Sequence, residues 1–278
     1  MTVYLEDGIS VKIRRSKNTA SIIKSPKSSG TLIIPEYCEY NGEKYNIISI
    51  DGDSFNYSQI EYLKFDENSH ITIFQQSSFS FANIKIFQIP ASLKILKYGW
   101  CQFLKGVEEF EISEKNENFL YYDHKFLLRK STSKNINFDV LYFARSDIEN
   151  AIIPSQIRIL NSQSFYSHEK LKSITFTNDS QLKIIEKAIF YESPIQKIVL
   201  PASLEEINED CFDNVKYLNE IEVSPNNKLF TVLPNKLLVR KSDTYSQNFD
   251  IVVFAPRNIK EVVIPSNIKY IAKHSFSN

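Results

Sequence analysis

The sequence predicts a leucine-rich-repeat solenoid, with a curved parallel β-sheet on the concave face, short helical or 3₁₀ turns on the other face, and two inserted β-hairpins. The first observation is the stretch 200–223, which reads LPASLEEINEDCFDNVKYLNEIEV and places an apolar residue every two to five positions. The second observation is that this frame recurs along nearly the whole chain. A unit this short cannot bury its own apolar face, so it must stack on copies of itself, and a period of about 20–29 residues is typical of leucine-rich repeats.

An internal duplication is the third observation. The aromatic position of the frame recurs with steps of 24, 22, 64, 25, 22 and 64 residues, at Phe55, Phe79, Cys101, Phe165, Phe190, Phe212 and Phe276. The steps repeat as a series, and corresponding positions lie 110 or 111 residues apart. The chain therefore contains a duplicated unit of about 111 residues, made of three repeats and a long insert.

Residues 1–31 precede the repeats and are predicted to form an N-terminal cap, since the first repeat would otherwise expose an apolar edge. Within the cap, Val11–Arg15 is a candidate strand and 25–30 (SPKSSG) is a turn-rich break. The solenoid then occupies residues 32–278, with a two-residue hairpin turn predicted at Asn41-Gly42. Cap and solenoid together are predicted to form one domain.

Each repeat contributes one strand, whose fourth and sixth residues face the core because side chains alternate across a strand. The predicted strands are Ile60–Phe65, Ile84–Ile89, Val107–Ile112, Ile148–Ile153, Leu171–Phe176, Ile195–Leu200, Leu218–Val223 and Ile259–Ile264. They are expected to form one ladder. After the strand, a segment such as Ile207–Phe212 is predicted to form a short helical or 3₁₀ turn.

The two inserts are predicted to be β-hairpins, at residues 113–147 and 224–258. In the first, the apolar, β-prone segments 126–130 and 139–143 flank a polar stretch, which is the pattern of a hairpin. The second copy repeats this pattern at 237–241 and 250–254.

Composition excludes several classes of partner. The 33 basic and 33 acidic residues give a formal net charge of zero, so no net field attracts nucleic acid or an anionic membrane. No apolar run approaches the roughly 18 residues that span a bilayer, and the first residues lack the pattern of an export signal. The sequence therefore predicts no nucleic-acid partner, no membrane span in this chain and no visible signal peptide.

Motifs for metal, cofactor or nucleophile chemistry are not found. The number of cysteines is odd and none has C-x-x-C spacing; they are Cys38, Cys101 and Cys211. Cys101 takes the aromatic position itself and Cys211 precedes one, which favours buried thiols in the core. The histidines lie far apart and outside any metal or triad motif, at His70, His124, His168 and His274. We predict no cofactor, no metal site and no catalytic site.

The third and fifth residues of each strand face solvent and form the candidate concave binding face. Its charged and aromatic members are Tyr62, Lys64, Glu109, Glu111, Lys197, Glu220, Glu222 and Glu261. The glutamate pairs recur at the offset of 111 residues. Such pairs could serve acid–base catalysis, but carboxylates on a repeated sheet are more often a solvated face, so a rigid recognition surface is the preferred interpretation.

A second candidate patch lies on the first hairpin, because aromatic and arginine side chains are good contact anchors. It consists of Tyr121, Tyr122, Arg129 and Tyr142. The alternative is that these side chains pack the hairpin onto the solenoid. Two N-glycosylation sequons, at Asn56 and Asn178, would matter only in a secreted protein.

Four segments resemble the BspA-like leucine-rich repeats of surface proteins from bacteria and protists. They read IPASLKIL, IIPSQIRILNSQSF, LPASLEEINEDCF and VIPSNIKYIAKHSF, and the resemblance extends over about residues 32–278. Cys101 in the aromatic position, and the lack of the glycine that often precedes it, depart from the family pattern. The resemblance implies a cell-surface role in adhesion or protein binding, without enzyme activity and without site residues that could be transferred.

The preferred hypothesis is a non-enzymatic protein at the cell surface or outside the cell that binds a protein or glycan of a host or matrix. A cytoplasmic interaction scaffold is the alternative, and a polysaccharide-active β-helix enzyme is less favoured. The sequence stops within a repeat at residues 275–278, which predicts either a truncated product or a homodimer that covers this end.

Overall fold

The structure is a computed structural model that describes residues 1–5, 8–25, 29–104 and 106–277. It divides into unit 1, residues 1–127, and unit 2, residues 128–278. The predicted break at 25–30 includes Pro26–Ser28, and the predicted uncapped end includes Asn278; these residues lie outside the described ones. A single domain remains a prediction.

Unit 1 is built almost wholly from strands. They are β1 (Thr2–Tyr4), β2 (Ser10–Arg14), β3 (Thr19–Lys24), β4 (Gly30–Ile34), β5 (Tyr37–Tyr40), β6 (Glu43–Ile50), β7 (Ile60–Phe65), β8 (Ile73–Phe74), β9 (Ile86–Ile89), β10 (Ile95–Leu96), β11 (Glu109–Ile112) and β12 (Phe119–Tyr122). The unit boundary falls within β13 (Phe126–Arg129). A 3₁₀ helix at Arg15–Lys17 follows β2.

Unit 2 has the same character. Its strands are β14 (Val140–Ala144), β15 (Asn150–Ile153), β16 (Ile159–Leu160), β17 (Ser173–Phe176), β18 (Ile184–Ile185), β19 (Lys197–Leu200), β20 (Glu206–Ile207), β21 (Glu220–Val223), β22 (Phe230–Val232), β23 (Leu238–Lys241), β24 (Phe249–Phe254) and β25 (Tyr270–Ile271). A 3₁₀ helix spans Glu209–Phe212. No α-helix occurs in the described parts of the chain.

Two parallel ladders run through unit 1. The longer strands β4, β7, β9 and β11 form one, which we call the long-strand sheet. The shorter strands β6, β8 and β10 form the other. Leu63 and Phe110 both pair in register with Phe87, and all three side chains are buried. Apolar residues thus stack on their counterparts in the neighbouring repeats, which confirms the predicted solenoid of stacked repeats.

Unit 2 repeats this plan. Its long-strand sheet contains β15, β17, β19 and β21, and its short strands β14, β16, β18 and β20 form a second parallel ladder. Strands β22, β23 and β24 are antiparallel, so the segments predicted as the second hairpin do pair with each other. Strand β25 then adds to β24 in parallel. The segments of the first hairpin are present as β13 and β14.

The predicted ladder is wrong in two respects. The long strands form two sheets of four, one in each unit, and β4 is an additional member. The segment Ile259–Ile264 is not a strand, and Val263 is 84% exposed. Strand β15, its counterpart in the first copy, is paired with β17, whereas Ile259–Ile264 has no hydrogen-bonded strand beside it in the described part of the chain. A segment without a hydrogen-bonded neighbour does not form a ladder.

The turns around the aromatic positions also differ from the prediction. Only the turn at Glu209–Phe212 is helical among those described; there the Asn208 side chain accepts a hydrogen bond from the Asp210 N–H. Elsewhere, left-handed residues stand two positions before and two after the aromatic residue, as Asp53 and Tyr57 do around Phe55. A left-handed residue turns the chain out of a helical path, so a helix cannot continue.

Aromatic rings fill the core between layers. The centroids of Phe55 and Phe79 lie 5.0 Å apart, and those of Phe190 and Phe212 lie 6.4 Å apart. At the third repeat, the prediction that Cys101 fills this space is corrected. Cys101 is partly exposed, and Trp100, which is buried, packs 6.1 Å from Phe79.

The N-terminal residues pack against the repeats as an antiparallel β1–β2–β3 sheet, and β3 pairs in parallel with β6. Strand β5 pairs with β6 through the predicted turn, in which Asn41 and Gly42 have φ of 52° and 78°. Positive φ at both central residues is the geometry that asparagine and glycine favour in such hairpins.

Candidate functional site

The long-strand sheet of unit 1 presents the first predicted surface. Tyr62 lies beside Ile86 in register, and Ile86 lies beside Glu109, so these side chains form one row across the sheet. Lys64 lies beside Ile33, which is 55% exposed. The row is therefore apolar over β7 and β9 and acidic at β11.

The carboxylates of β11 have different neighbours from those of the second copy. The Glu109 carboxylate lies 3.0 Å from Nδ1 of His124, and Glu111 is exposed beside Gln88. Lys64 stands on β7, with β9 between it and β11. The structure thus places Tyr62, Lys64 and the two glutamates on one sheet, but it does not bring Lys64 to the glutamates.

In unit 2, three predicted residues form one ion-pair cluster. The Lys197 Nζ donates to a carboxylate oxygen of Glu220 and to one of Glu222, each at 2.6 Å. These hydrogen bonds raise the pKa of Lys197, and the bond from Lys197 lowers the pKa of Glu220. Glu261 lies outside this cluster, on the exposed segment that does not form a strand.

The hairpin patch is divided between the units. In unit 1, the Tyr121 hydroxyl donates to the His124 carbonyl at 2.9 Å, and its ring meets Phe110 at 5.3 Å; Tyr122 is 39% exposed. In unit 2, Arg129 Nη1 donates to the Tyr142 hydroxyl at 3.1 Å. The Tyr121 ring therefore packs against a residue of β11, and the role of the patch in binding stays a prediction.

The side chains that could bind a metal ion are dispersed over the described residues. Across the described ranges, no group of three histidine, cysteine or acidic side chains could hold a metal ion. Burial raises the pKa of the Cys211 thiol and lowers the pKa of His168 to about 4. Among the described residues, no helix combines the length and hydrophobicity needed to cross a bilayer.

An exposed aromatic column on the turns of unit 1 was not predicted. It consists of Tyr57, Phe81 and Phe103, each two residues after an aromatic position of the frame. The centroids of Tyr57 and Phe81 lie 4.8 Å apart with an interplanar angle of 9°, and those of Phe81 and Phe103 lie 4.4 Å apart with an angle of 11°. Tyr57 is 65% exposed and Phe81 is 41% exposed. The recurring spacing was the sequence signal that could have revealed this column.

The column residues occupy a strained backbone conformation. Their φ values are 57°, 56° and 56°, in the left-handed region that bulky side chains rarely adopt. This backbone conformation lets the turn form hydrogen bonds with the next repeat. The Tyr57 N–H donates to the Ser80 carbonyl, and the Phe81 N–H donates to the Gln102 carbonyl. The turn needs the conformation but not an aromatic side chain.

The second copy separates these two requirements. Its corresponding residues Ser167, Glu192 and Asn214 are also left-handed, with φ of 55°, 56° and 51°, yet none is aromatic. Unit 2 instead stacks Tyr166 on Tyr191, one position earlier in the turn, and neither ring is as exposed as Tyr57. The fold is therefore formed without aromatic side chains at the column positions.

Comparison with known proteins gives the family context. A family profile described as a BspA type leucine rich repeat region matches the chain in six copies, over residues 40–126, 135–233 and 245–278. No curated protein matches the chain significantly.

Several solved structures are similar to this one. A leucine-rich repeat protein from Eubacterium ventriosum is 15% identical, with a TM-score of 0.52, and the match covers 98% of this chain and 84% of that one. A leucine rich cell surface protein from Faecalibacterium prausnitzii is also 15% identical, with a TM-score of 0.48, over 96% of this chain. This chain spans 65% of the length of that protein. At these identities the likeness to the Eubacterium protein is one of fold.

Proposed function

The chain belongs to the family of BspA-type leucine-rich repeats, and from this premise we propose that it is a non-enzymatic protein that binds a protein partner at the cell surface. A solenoid holds its outward side chains at fixed spacing and presents an extended recognition surface. The proposed role is adhesion or interaction with a host or matrix protein.

The aromatic column carries the proposal. Exposed aromatic side chains are enriched among the residues that dominate binding energy at protein interfaces. Tyr57 and Phe81 are exposed, stacked on each other and placed at positions where the second copy has Ser167 and Glu192. Since the fold does not need aromatic rings there, contact with a partner is the reason we assign to them.

The orientation of the rings favours a protein over a sugar. Phe81 has Tyr57 on one face and Phe103 on the other, so its faces are covered and its edge is presented to solvent. A sugar ring stacks on an aromatic face, whereas aliphatic and aromatic side chains of a protein also pack against ring edges. The long-strand face of unit 1, with Ile33 and Tyr62, is a second candidate surface for the same function.

Replacing the column tests the proposal. The variant Tyr57→Ser, Phe81→Asn, Phe103→Asn introduces residues that tolerate the left-handed turn, and Ser and Asn are the residues of the second copy at two of the three positions. We expect purified host-surface and matrix proteins to include a ligand for the wild-type protein, and the variant to bind that ligand at least about tenfold more weakly, as loss of one anchor implies.

The matched control is Tyr166→Ser, Tyr191→Ser, which removes the stacked pair of unit 2. It should bind as the wild type does. Equal binding by the column variant, or loss of binding in both variants, would contradict the assignment of the column, and the long-strand face would then be tested with Ile33→Ser and Tyr62→Ser.

The cell-surface location is tested separately. Intact source cells are treated with a membrane-impermeant labelling reagent, and the protein is then purified. Labelling under conditions that leave a cytosolic marker unlabelled is the expected result. Protection together with that marker would favour the intracellular scaffold.

The polysaccharide-active enzyme is disfavoured by the pKa and the ion pairs of the two carboxylates that would be its candidate catalytic groups. Glu220 has a lowered pKa because Lys197 binds it, and the same lysine binds Glu222. A general acid needs a raised pKa in order to carry a proton near neutral pH. The cluster is better suited to linking β19 and β21 than to donating a proton.

A further inference from the structure

The outer face of the N-terminal sheet carries a concentration of positive charge. Residues 1–31 contain six basic and two acidic residues, although the chain as a whole is balanced at 33 of each. Lys12 and Arg14 alternate along β2 and are exposed, while the intervening Val11 and Ile13 are buried. Lys24 lies opposite Ser10 in the register of β2 and β3, so it projects from the same face as Lys12. These charges thus lie together on one side of the sheet.

The carboxylates of the described residues do not pair with these cations. In the described parts of the chain, Lys12, Arg14, Lys17 and Lys24 have no acidic group within ion-pair distance. Among the other described residues, seven lysines are paired, namely Lys85, Lys125, Lys172, Lys183, Lys197, Lys269 and Lys273. What distinguishes this group is its placement, because Lys12, Arg14 and Lys24 lie on one small sheet and Lys17 lies on the 3₁₀ helix that joins two of its strands.

Aromatic side chains accompany the charges. Tyr4 is 77% exposed on β1 and pairs in register with Ser10, which places it on the same outer face. The Arg15 guanidinium lies 5.6 Å from the centre of the Tyr40 ring. An exposed tyrosine offers an apolar ring face with a polar tip, a combination suited to a sugar ring.

We propose that the outer face of the β1–β2–β3 sheet, with Tyr4, Lys12, Arg14 and Lys24, binds an acidic polysaccharide together with Lys17 of the 3₁₀ helix between β2 and β3. Residues i and i+2 of a strand are about 6.6 Å apart, so Lys12 and Arg14 can contact successive charged groups along a polymer. The formal net charge of the chain is zero, so no net field attracts nucleic acid, which argues against that polyanion. This site is distinct from the aromatic column and independent of the proposed protein partner.

Binding of defined polymers tests the site. Heparin supplies sulfate groups, polygalacturonate supplies carboxylates, and dextran is the uncharged reference. We expect biolayer interferometry to show binding of at least one acidic polymer and none of dextran. The affinity should fall by about tenfold or more between low and physiological salt, because several ion pairs are made.

The test variant replaces Lys12, Arg14, Lys17 and Lys24 with glutamine, and we expect a loss of about tenfold or more. The matched control also introduces glutamine, at four exposed lysines of unit 2, and changes the net charge by the same amount. These lysines are Lys170, Lys216, Lys228 and Lys260. It should bind within about twofold of wild type. If circular dichroism shows that the quadruple variant is misfolded, the single variants Lys12→Gln and Arg14→Gln give the same test.

Three outcomes would overturn the proposal. They are no binding of either acidic polymer, equal loss in the cap variant and the control, and stronger binding of oligothymidylate or of phosphatidylglycerol vesicles than of both polysaccharides. The last result would assign the patch to nucleic acid or to a membrane surface.

Discussion

At the scale of single residues, buried polar side chains fix the inserts to the repeats. The Asn227 amide donates to the carbonyls of Pro201 and Leu204, and its oxygen accepts from the N–H groups of Leu229 and Phe230. Asn116 makes the same four kinds of bond in unit 1. A buried amide with every hydrogen-bonding group satisfied specifies one local arrangement.

His168 makes the stability of the molecule sensitive to acid. It is 3% exposed, packs 5.3 Å from Phe165, and burial lowers its pKa to about 4, against about 6.5 when unfolded. Since the unfolded chain binds the proton more tightly, stability is retained above pH 6.5 and falls as the pH drops towards 4. We expect a loss of about 3 kcal/mol over this range from His168 alone.

Urea unfolding of wild type and His168→Leu, at pH 7 and pH 4.5, measures this contribution. The variant should lose less stability on acidification. His70→Gln is the control for the loss of a histidine, because the His70 side chain is 42% exposed rather than buried. An identical pH dependence in wild type and His168→Leu would contradict the prediction.

At the scale of the repeat, the space between layers is filled by one aromatic ring, but the residue that supplies it can shift. In the third repeat of unit 1 the ring belongs to Trp100, which contacts Phe74, Phe79 and Phe87 at centroid distances of 5.6 to 6.1 Å. The adjacent Cys101, at the aromatic position of the frame, is partly exposed. Packing therefore depends on the volume delivered to the layer rather than on one sequence position.

Thermal or urea unfolding distinguishes the two residues. Trp100→Ala should cost about 3–5 kcal/mol, since it leaves a cavity among three buried rings. Cys101→Ala should cost about 1 kcal/mol or less. A larger loss for Cys101→Ala than for Trp100→Ala would show that the thiol, not the indole, is the core residue of this repeat.

At the scale of the whole molecule, the single tryptophan offers a local probe of cooperativity. Trp100 lies in unit 1, so its fluorescence reports that unit, whereas far-ultraviolet circular dichroism reports the strands of both units. If the chain is one domain, as the sequence predicts, the two signals should change at the same urea concentration.

Phe190→Ala, a core change in unit 2, sharpens this test. With one cooperative domain, it should lower the fluorescence midpoint of Trp100 together with the dichroism midpoint, because neighbouring repeats stabilise each other. A shift in the dichroism alone would show that the two units unfold independently.

The sequence by itself determined the repeat, its period and its duplication. An apolar residue at a fixed spacing is a property of the chain, and each repeat must bury the same face, so the positions of β7, β9, β11, β17, β19 and β21 could be predicted. The N-terminal cap strand and the turn at Asn41-Gly42 were likewise accessible, since both depend on local residue preferences.

Only the tertiary structure decided which repeats pair and which side chains remain outside. Ile259–Ile264 has the pattern of a strand but no paired neighbour among the residues that the structure describes, and Lys197 reaches Glu220 only because β19 and β21 are adjacent. The column of Tyr57, Phe81 and Phe103 depends on left-handed turns and on stacking between residues more than 20 positions apart. Strand pairing and side-chain exposure depend on neighbours that folding brings together. The spacing of residues within one repeat does not determine them.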